Sequence, residues 1–137
     1  MTNKRLLLAD DHPAVLRKVA DLLGDVYEIV GSANNGQALL EAAARQHPDV
    51  ILMDISMPEM SGIEVAEHLM LERSRAKIIF LTVYDDPDFL RAALATGASG
   101  YILKSHMATE LVPAIREVLA GHRFISPSLC GDGPRIQ

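Results

Sequence analysis

The chain has little of what several function classes require. A single cysteine, Cys130, occurs among 137 residues, so neither an intramolecular disulfide nor a cysteine-rich metal site can form. No apolar run approaches membrane-spanning length, and the stretch before the first two aspartates is too short for a signal peptide. A reducing, cytoplasmic setting is therefore the default expectation.

Signatures of nucleic-acid and nucleotide binding are also missing. The net charge is -5 and no cluster of Lys or Arg stands out, so the chain is a poor candidate for binding nucleic acid through its phosphate groups. The isolated glycines form neither a G-x-G-x-x-G nor a P-loop pattern. The five histidines lack metal-ligand spacing, so we expect surface or packing roles for them: His12, His47, His68, His106 and His122. Of these, only His12 lies beside the aspartates that follow the first predicted strand.

What the chain does have is a regular alternation of two kinds of segment. Five short apolar runs predict buried strands at residues 6–9, 27–33, 50–53, 77–81 and 100–103. Each is followed by a segment with helical spacing of its apolar residues. Strict alternation of this kind predicts one domain with a parallel sheet and helices on both faces.

Local signals set several of the predicted helix boundaries. Asn34 with Gln37, and Ser61 with Glu64, resemble capping boxes. Pro113 lies inside the last predicted helix, where its missing N–H and its ring should kink the helix or shift its start.

Polar side chains follow four of the predicted strands. Asp10 and Asp11 follow the first strand, Asp54 the third, Thr82 the fourth and Lys104 the fifth. Parallel strands end at one rim, so these side chains should converge where α/β proteins collect ligands. Carboxylates sharing a rim repel one another, and a hard cation such as Mg²⁺ relieves that repulsion.

Such an ion also attracts a phosphoryl group. Lys104 offers a point charge for its oxygens and Thr82 a hydroxyl donor. One carboxylate not needed by the ion would then be free to act as the nucleophile and form an acyl phosphate. Blander explanations exist for each residue: helix capping for Asp10 and Asp11, β propensity for Thr82, and a snorkelling surface position for Lys104.

Together these landmarks, with Met57-Pro58 and Gly62 after Asp54, resemble the receiver domain of two-component response regulators over roughly residues 4–121. The resemblance implies a flavodoxin-like (βα)5 doubly wound sheet with strand order 2-1-3-4-5. It also implies that Asp54 takes a phosphoryl group from a partner histidine kinase.

The same resemblance implies a role for each site residue. Asp11 would ligate Mg²⁺ directly, Asp10 through water and Ser56 through its backbone carbonyl, beside Asp54 itself. Lys104 would hold the phosphoryl oxygens. Thr82 would swing toward the new phosphate while Tyr101, the aromatic residue at the switch position, turns inward.

Residues 97–104 and 121–127 are similar to the subfamily that carries a LuxR-type helix-turn-helix output domain. We therefore expect a receiver at residues 1–122 and a linker or tail at 123–137, with a receiver taken from a longer transcription regulator favoured over a stand-alone one. DNA would be contacted only through such an output domain. Dimerisation on phosphorylation is left open, because dimer faces differ among subfamilies.

Two alternatives remain at this point. A Mg²⁺-dependent phosphohydrolase would need an acid-base carboxylate two residues after the nucleophile, where Ser56 stands. A receiver-like interaction module that no longer uses phosphate is kept open by Val83, which is bulkier than the family's usual small residue and would narrow access to Asp54.

Overall fold

The computed structural model describes residues 4–130. Six parallel strands form one sheet in the order β2-β1-β3-β4-β5-β6. The strands are β1 (Arg5–Ala9), β2 (Glu28–Ala33), β3 (Val50–Met53), β4 (Lys77–Thr82), β5 (Gly100–Leu103) and β6 (Phe124–Ile125). The first five strands have the expected flavodoxin-like order, so that prediction is confirmed.

Helices cover both faces of the sheet. They are α1 (Pro13–Leu23), α2 (Gly36–Gln46), α3 (Gly62–Leu71), α4 (Pro87–Ala95) and α5 (Met107–Leu119). Alternate strand residues point to opposite faces: Leu7 and Ile51 pack with α2 and α3, whereas Leu6 and Leu52 pack with α1 and α5. Among the described residues, no helix has both the length and the apolarity needed to cross a membrane.

One of the two predicted capping boxes is confirmed, and the other is wrong: α2 has a simple N-cap instead. Ser61 Oγ accepts from the Glu64 N–H at 3.2 Å, and Glu64 Oε1 accepts from the Ser61 N–H at 3.0 Å. At α2, however, the cap is Asn35, whose side chain accepts from the Ala38 N–H at 2.8 Å. The assignment to Asn34 is wrong by one residue, because either asparagine can cap and only the backbone path selects between them.

Pro113 does not move the start of α5. The helix begins at Met107, after a 3-10 turn at Lys104–His106, and continues through the proline to Leu119. The helix keeps a buried face, which includes Leu111 and Ile115, although the proline cannot donate a backbone hydrogen bond.

The segment after α5 has regular structure that its composition does not predict. Phe124 and Ile125 pair in parallel with Gly100 and Tyr101, so this part of the expected tail extends the sheet by one strand. A 3-10 turn, Pro127–Cys130, follows it. Two residues form too short a strand to show a period in the sequence.

The loop between β3 and α3 approaches the end of β3 closely at Gly62. Its N–H donates to the Ile55 carbonyl at 2.7 Å, and a Cβ at this position would lie 2.1 Å from the backbone oxygen of Asp54. Only glycine allows this approach, and the approach fixes the backbone that carries Asp54.

We expect Gly62→Ala to lower the free energy of unfolding by about 3 kcal/mol, because overpacking against rigid backbone cannot relax. Gly31→Ala is the control, since its Cβ would meet only the end of the Leu7 side chain, at 3.3 Å. Urea denaturation measures both. Equal stability of the two variants would contradict this account of the loop.

Candidate functional site

The predicted site residues do meet at one edge of the sheet. Asp10 follows β1, Asp54 follows β3, Thr82 ends β4 and Lys104 follows β5. The backbone of both aspartates extends the strand ladder: the Asp10 N–H donates to the Ala33 carbonyl and the Asp54 N–H to the Ala9 carbonyl, each at 3.0 Å. The carboxylates are therefore placed by strand pairing.

Lys104 bridges the two buried carboxylates. Its Nζ lies 2.7 Å from Asp10 Oδ2 and 2.9 Å from Asp54 Oδ2. Asp10 is 3% exposed and Asp54 4%. Burial alone would lower the pKa of the Lys104 ammonium, but its hydrogen bonds and ion pairs with Asp10 and Asp54 outweigh burial and raise the pKa above 10.5. The stabilisation of the folded state by the charged Lys104 is thus present below the unfolded-state pKa of this lysine, and it is lost as the pH rises through the folded-state pKa.

Asp11 and His12 form the outer part of the same cluster. The Asp11 side chain is 34% exposed, and His12 Nδ1 lies 3.0 Å from Asp10 Oδ1 and 3.0 Å from Asp11 Oδ1. The His12 N–H also donates to Asp10 Oδ1 at 2.9 Å. Sequence reasoning placed His12 near the rim but not in contact with both aspartates.

The donor set fits a hard divalent cation. Asp10, Asp11, His12 and Asp54 each offer an atom within 4.8 Å of the others. An octahedral Mg²⁺ with bonds of about 2.1 Å sets adjacent ligands about 3.0 Å and opposite ligands about 4.2 Å apart. Three of the four donors are carboxylates, the ligands that Mg²⁺ prefers.

Ser56 is placed beside the cluster by its backbone. Its N–H donates to Asp54 Oδ1 at 3.3 Å, and the residue is exposed. A phosphohydrolase of the alternative class would need a carboxylate at this position. This chain has the small hydroxyl side chain of Ser56 there instead.

Thr82 and Tyr101 are linked through the backbone of Tyr84. The Tyr84 N–H donates to Thr82 Oγ1 at 3.3 Å, and the Tyr101 hydroxyl donates to the Tyr84 carbonyl at 2.6 Å. Thr82 and Tyr101 are both fully buried, so Tyr101 lies inward in this structure. The Tyr84 ring stacks on Phe89 of α4 at a centroid distance of 4.3 Å.

Sequence reasoning did not single out Tyr84, although an aromatic residue two positions after Thr82 was visible. The side chain of Val83, which lies between Thr82 and Tyr84 in the sequence, is 67% exposed.

The family model for the response regulator receiver domain matches residues 6–116 of this chain. The chain belongs to this family. Receiver domains are signalling modules of two-component systems, and they bind Mg²⁺ through an acidic pocket of the kind assembled here.

Individual relatives agree with this assignment. Response regulator GacA of Pseudomonas viridiflava is 37% identical over 127 residues, which cover 91% of this chain and 59% of GacA. A LuxR-family two-component response regulator from Aurantimonas sp. SI85-9A1 superposes with a TM-score of 0.88 at 33% identity, covering 93% of each chain. This receiver therefore spans about three fifths of the length of the curated relative.

The isolated receiver domain of RcsB from Salmonella enterica serovar Typhimurium, solved in the presence of phosphomimetic BeF3⁻, superposes with a TM-score of 0.87 at 28% identity. The match covers 93% of this chain and 96% of that one.

The inward position of Tyr101 has a measurable consequence for its ionisation. Burial, followed by the charges of Asp85, Asp86 and Asp54, raises the pKa of Tyr101 to about 12. We expect the difference between ultraviolet pH titrations of the wild type and Tyr101→Phe to show one phenol that ionises near pH 12. Folding stability should also fall between pH 10 and 12, because the folded state retains this proton longer than the unfolded state. A difference titration centred at pH 10 would contradict the buried position.

Proposed function

We propose that Asp54 of this receiver accepts a phosphoryl group from a partner histidine kinase in a Mg²⁺-dependent reaction, and that phosphorylation controls an output. The observation that carries the proposal is the contact of Lys104 Nζ with Asp54 Oδ2 at 2.9 Å, at the carboxyl end of β3. This contact places the ammonium group of Lys104 beside the Asp54 carboxylate, where it could also bond the oxygens of a phosphoryl group attached to Asp54.

In the proposed step, an oxygen of the Asp54 carboxylate attacks the phosphorus of a phosphohistidine. The phosphorus–nitrogen bond breaks, its electron pair returns to the imidazole of the kinase, and an acyl phosphate forms on Asp54. Asp10, Asp11, Asp54 and the Ser56 carbonyl would hold Mg²⁺, which supplies charge neutralisation when bound. Lys104 donates to the phosphoryl oxygens, and water later hydrolyses the acyl phosphate.

The proposed switch uses Thr82 and Tyr101. The Thr82 hydroxyl would turn toward a phosphoryl oxygen, and the inward Tyr101 would be favoured by its bond to the Tyr84 carbonyl. Phosphorylation then acts as a population shift between conformations that differ at β4, α4 and β5.

The output belongs to the proposal as well. We keep residues 1–122 as the receiver and 123–137 as the connection to an output, with β6 as the first part of that connection. The similarity to a LuxR-family regulator supports transcription control in a longer protein. DNA would then be bound by the output domain alone, and dimerisation of the receiver on phosphorylation is compatible with it.

Intact mass after incubation with a small acyl phosphate tests the proposal. We expect one added phosphoryl group that requires Mg²⁺ and is absent from Asp54→Asn. Asp25→Asn is the matched control because Asp25 is an exposed carboxylate away from the cluster. No adduct in the wild type, even with a cognate kinase, would favour an interaction module that does not use phosphate.

A further inference from the structure

The segment after α5 is hydrogen-bonded to β5, the strand that precedes Lys104. The Phe124 N–H donates to the Ser99 carbonyl at 2.9 Å, and the Ser126 N–H donates to the Tyr101 carbonyl at 2.8 Å. Leu129 packs against the same core cluster as Tyr101. Residues 124–130, which we call the tail strap, therefore lie along the outer edge of β5.

Ser126 is the most tightly held residue of the tail strap. It is fully buried, and its Oγ accepts from the Leu103 N–H at 3.0 Å while its hydroxyl donates to Glu110 Oε1. Leu103 directly precedes Lys104. A buried hydroxyl that is satisfied on both sides fixes its partners, because an unmade bond there would leave buried polar groups without water.

Glu110 carries the connection to the other side of Lys104. It lies in the first turn of α5, and its second oxygen, Oε2, is 3.5 Å from Nδ1 of His106. His106 ends the 3-10 turn that begins at Lys104. Ser126 thus bonds the residue immediately before Lys104, and Glu110, which accepts from the Ser126 hydroxyl, lies beside His106, two residues after Lys104. The Nζ of Lys104 in turn spans Asp10 and Asp54.

We propose that Ser126 is a positioning residue for Lys104, acting through Leu103 and Glu110, and that docking of the tail strap and occupation of the phosphoryl site are coupled. The inference rests on the proposed function. Coupling between two sites is reciprocal: if the docked strap holds Lys104 where it meets the phosphoryl oxygens, an occupied site must hold the strap more firmly. The strap forms the first part of the segment that we assign as the connection to an output, so this coupling gives phosphorylation a route to that output.

Beryllofluoride binding with Mg²⁺, followed by fluorine NMR, tests the positioning role. We expect Ser126→Ala to weaken binding by about fivefold or more, the lower range of measured couplings between sites. Ser128→Ala is the matched control, because Ser128 is an exposed serine of the same segment. Glu110→Gln, which keeps an acceptor for the Ser126 hydroxyl, should bind within about twofold of the wild type, whereas Glu110→Ala should resemble Ser126→Ala.

A purely structural role is separated by a stability control. Val118→Ala removes buried side-chain volume from α5 near its last turn, away from Lys104. It should lower the urea midpoint without changing beryllofluoride affinity. If Ser126→Ala lowers the midpoint and leaves affinity unchanged in the same way, the positioning role is wrong.

Hydrogen exchange in the wild type tests the reciprocal effect and requires no variant to fold. Beryllofluoride should slow exchange of the Leu103 and Ser126 amides by about fivefold or more. Unchanged exchange in a chain that binds beryllofluoride overturns the coupling and leaves the proposed function standing. Failure of the wild type to bind at all overturns both.

Discussion

The ion bridge from Lys104 to Asp10 and Asp54 is the interaction on which the rest of the site depends. Two buried carboxylates a few ångströms apart would repel each other strongly in a medium of low dielectric constant. One ammonium group placed between them satisfies both, at 2.7 and 2.9 Å. A buried charge that loses its partner is costly, so the bridge favours the arrangement in which Lys104 contacts both carboxylates.

The fold supplies this arrangement by strand order. β1 and β3 are neighbours, which brings Asp10 beside Asp54, and β5 lies beyond β4, within reach of a long lysine side chain. The same order places Thr82 at the end of β4, the strand between the one that precedes Asp54 and the one that precedes Lys104. Close packing of Gly62 on the Asp54 backbone then fixes the loop that follows.

Topology explains how much of the site the sequence could predict. Parallel strands end at one edge, so the convergence of Asp10, Asp54, Thr82 and Lys104 followed from alternation alone. Which carboxylate Lys104 contacts did not, because Asp10 and Asp11 are adjacent and only the strand's pleat decides that Asp10 is buried and Asp11 is not.

Contacts between distant segments were the least predictable. The short strand β6 has no period to detect, and Ser126 meets Leu103 and Glu110 only after the last helix has returned to the sheet. The backbone of Tyr84 connects Thr82 to Tyr101, and backbone groups leave no mark in a sequence.

A double-mutant cycle on the bridge tests the central claim most directly. Lys104→Met, Asp10→Asn and the double variant are compared with the wild type by urea unfolding. The bridge predicts that Lys104→Met alone costs about 3 kcal/mol, and that the two substitutions couple by about 1–3 kcal/mol. Additivity within about 0.5 kcal/mol would show that the two side chains do not support each other, and would contradict the account.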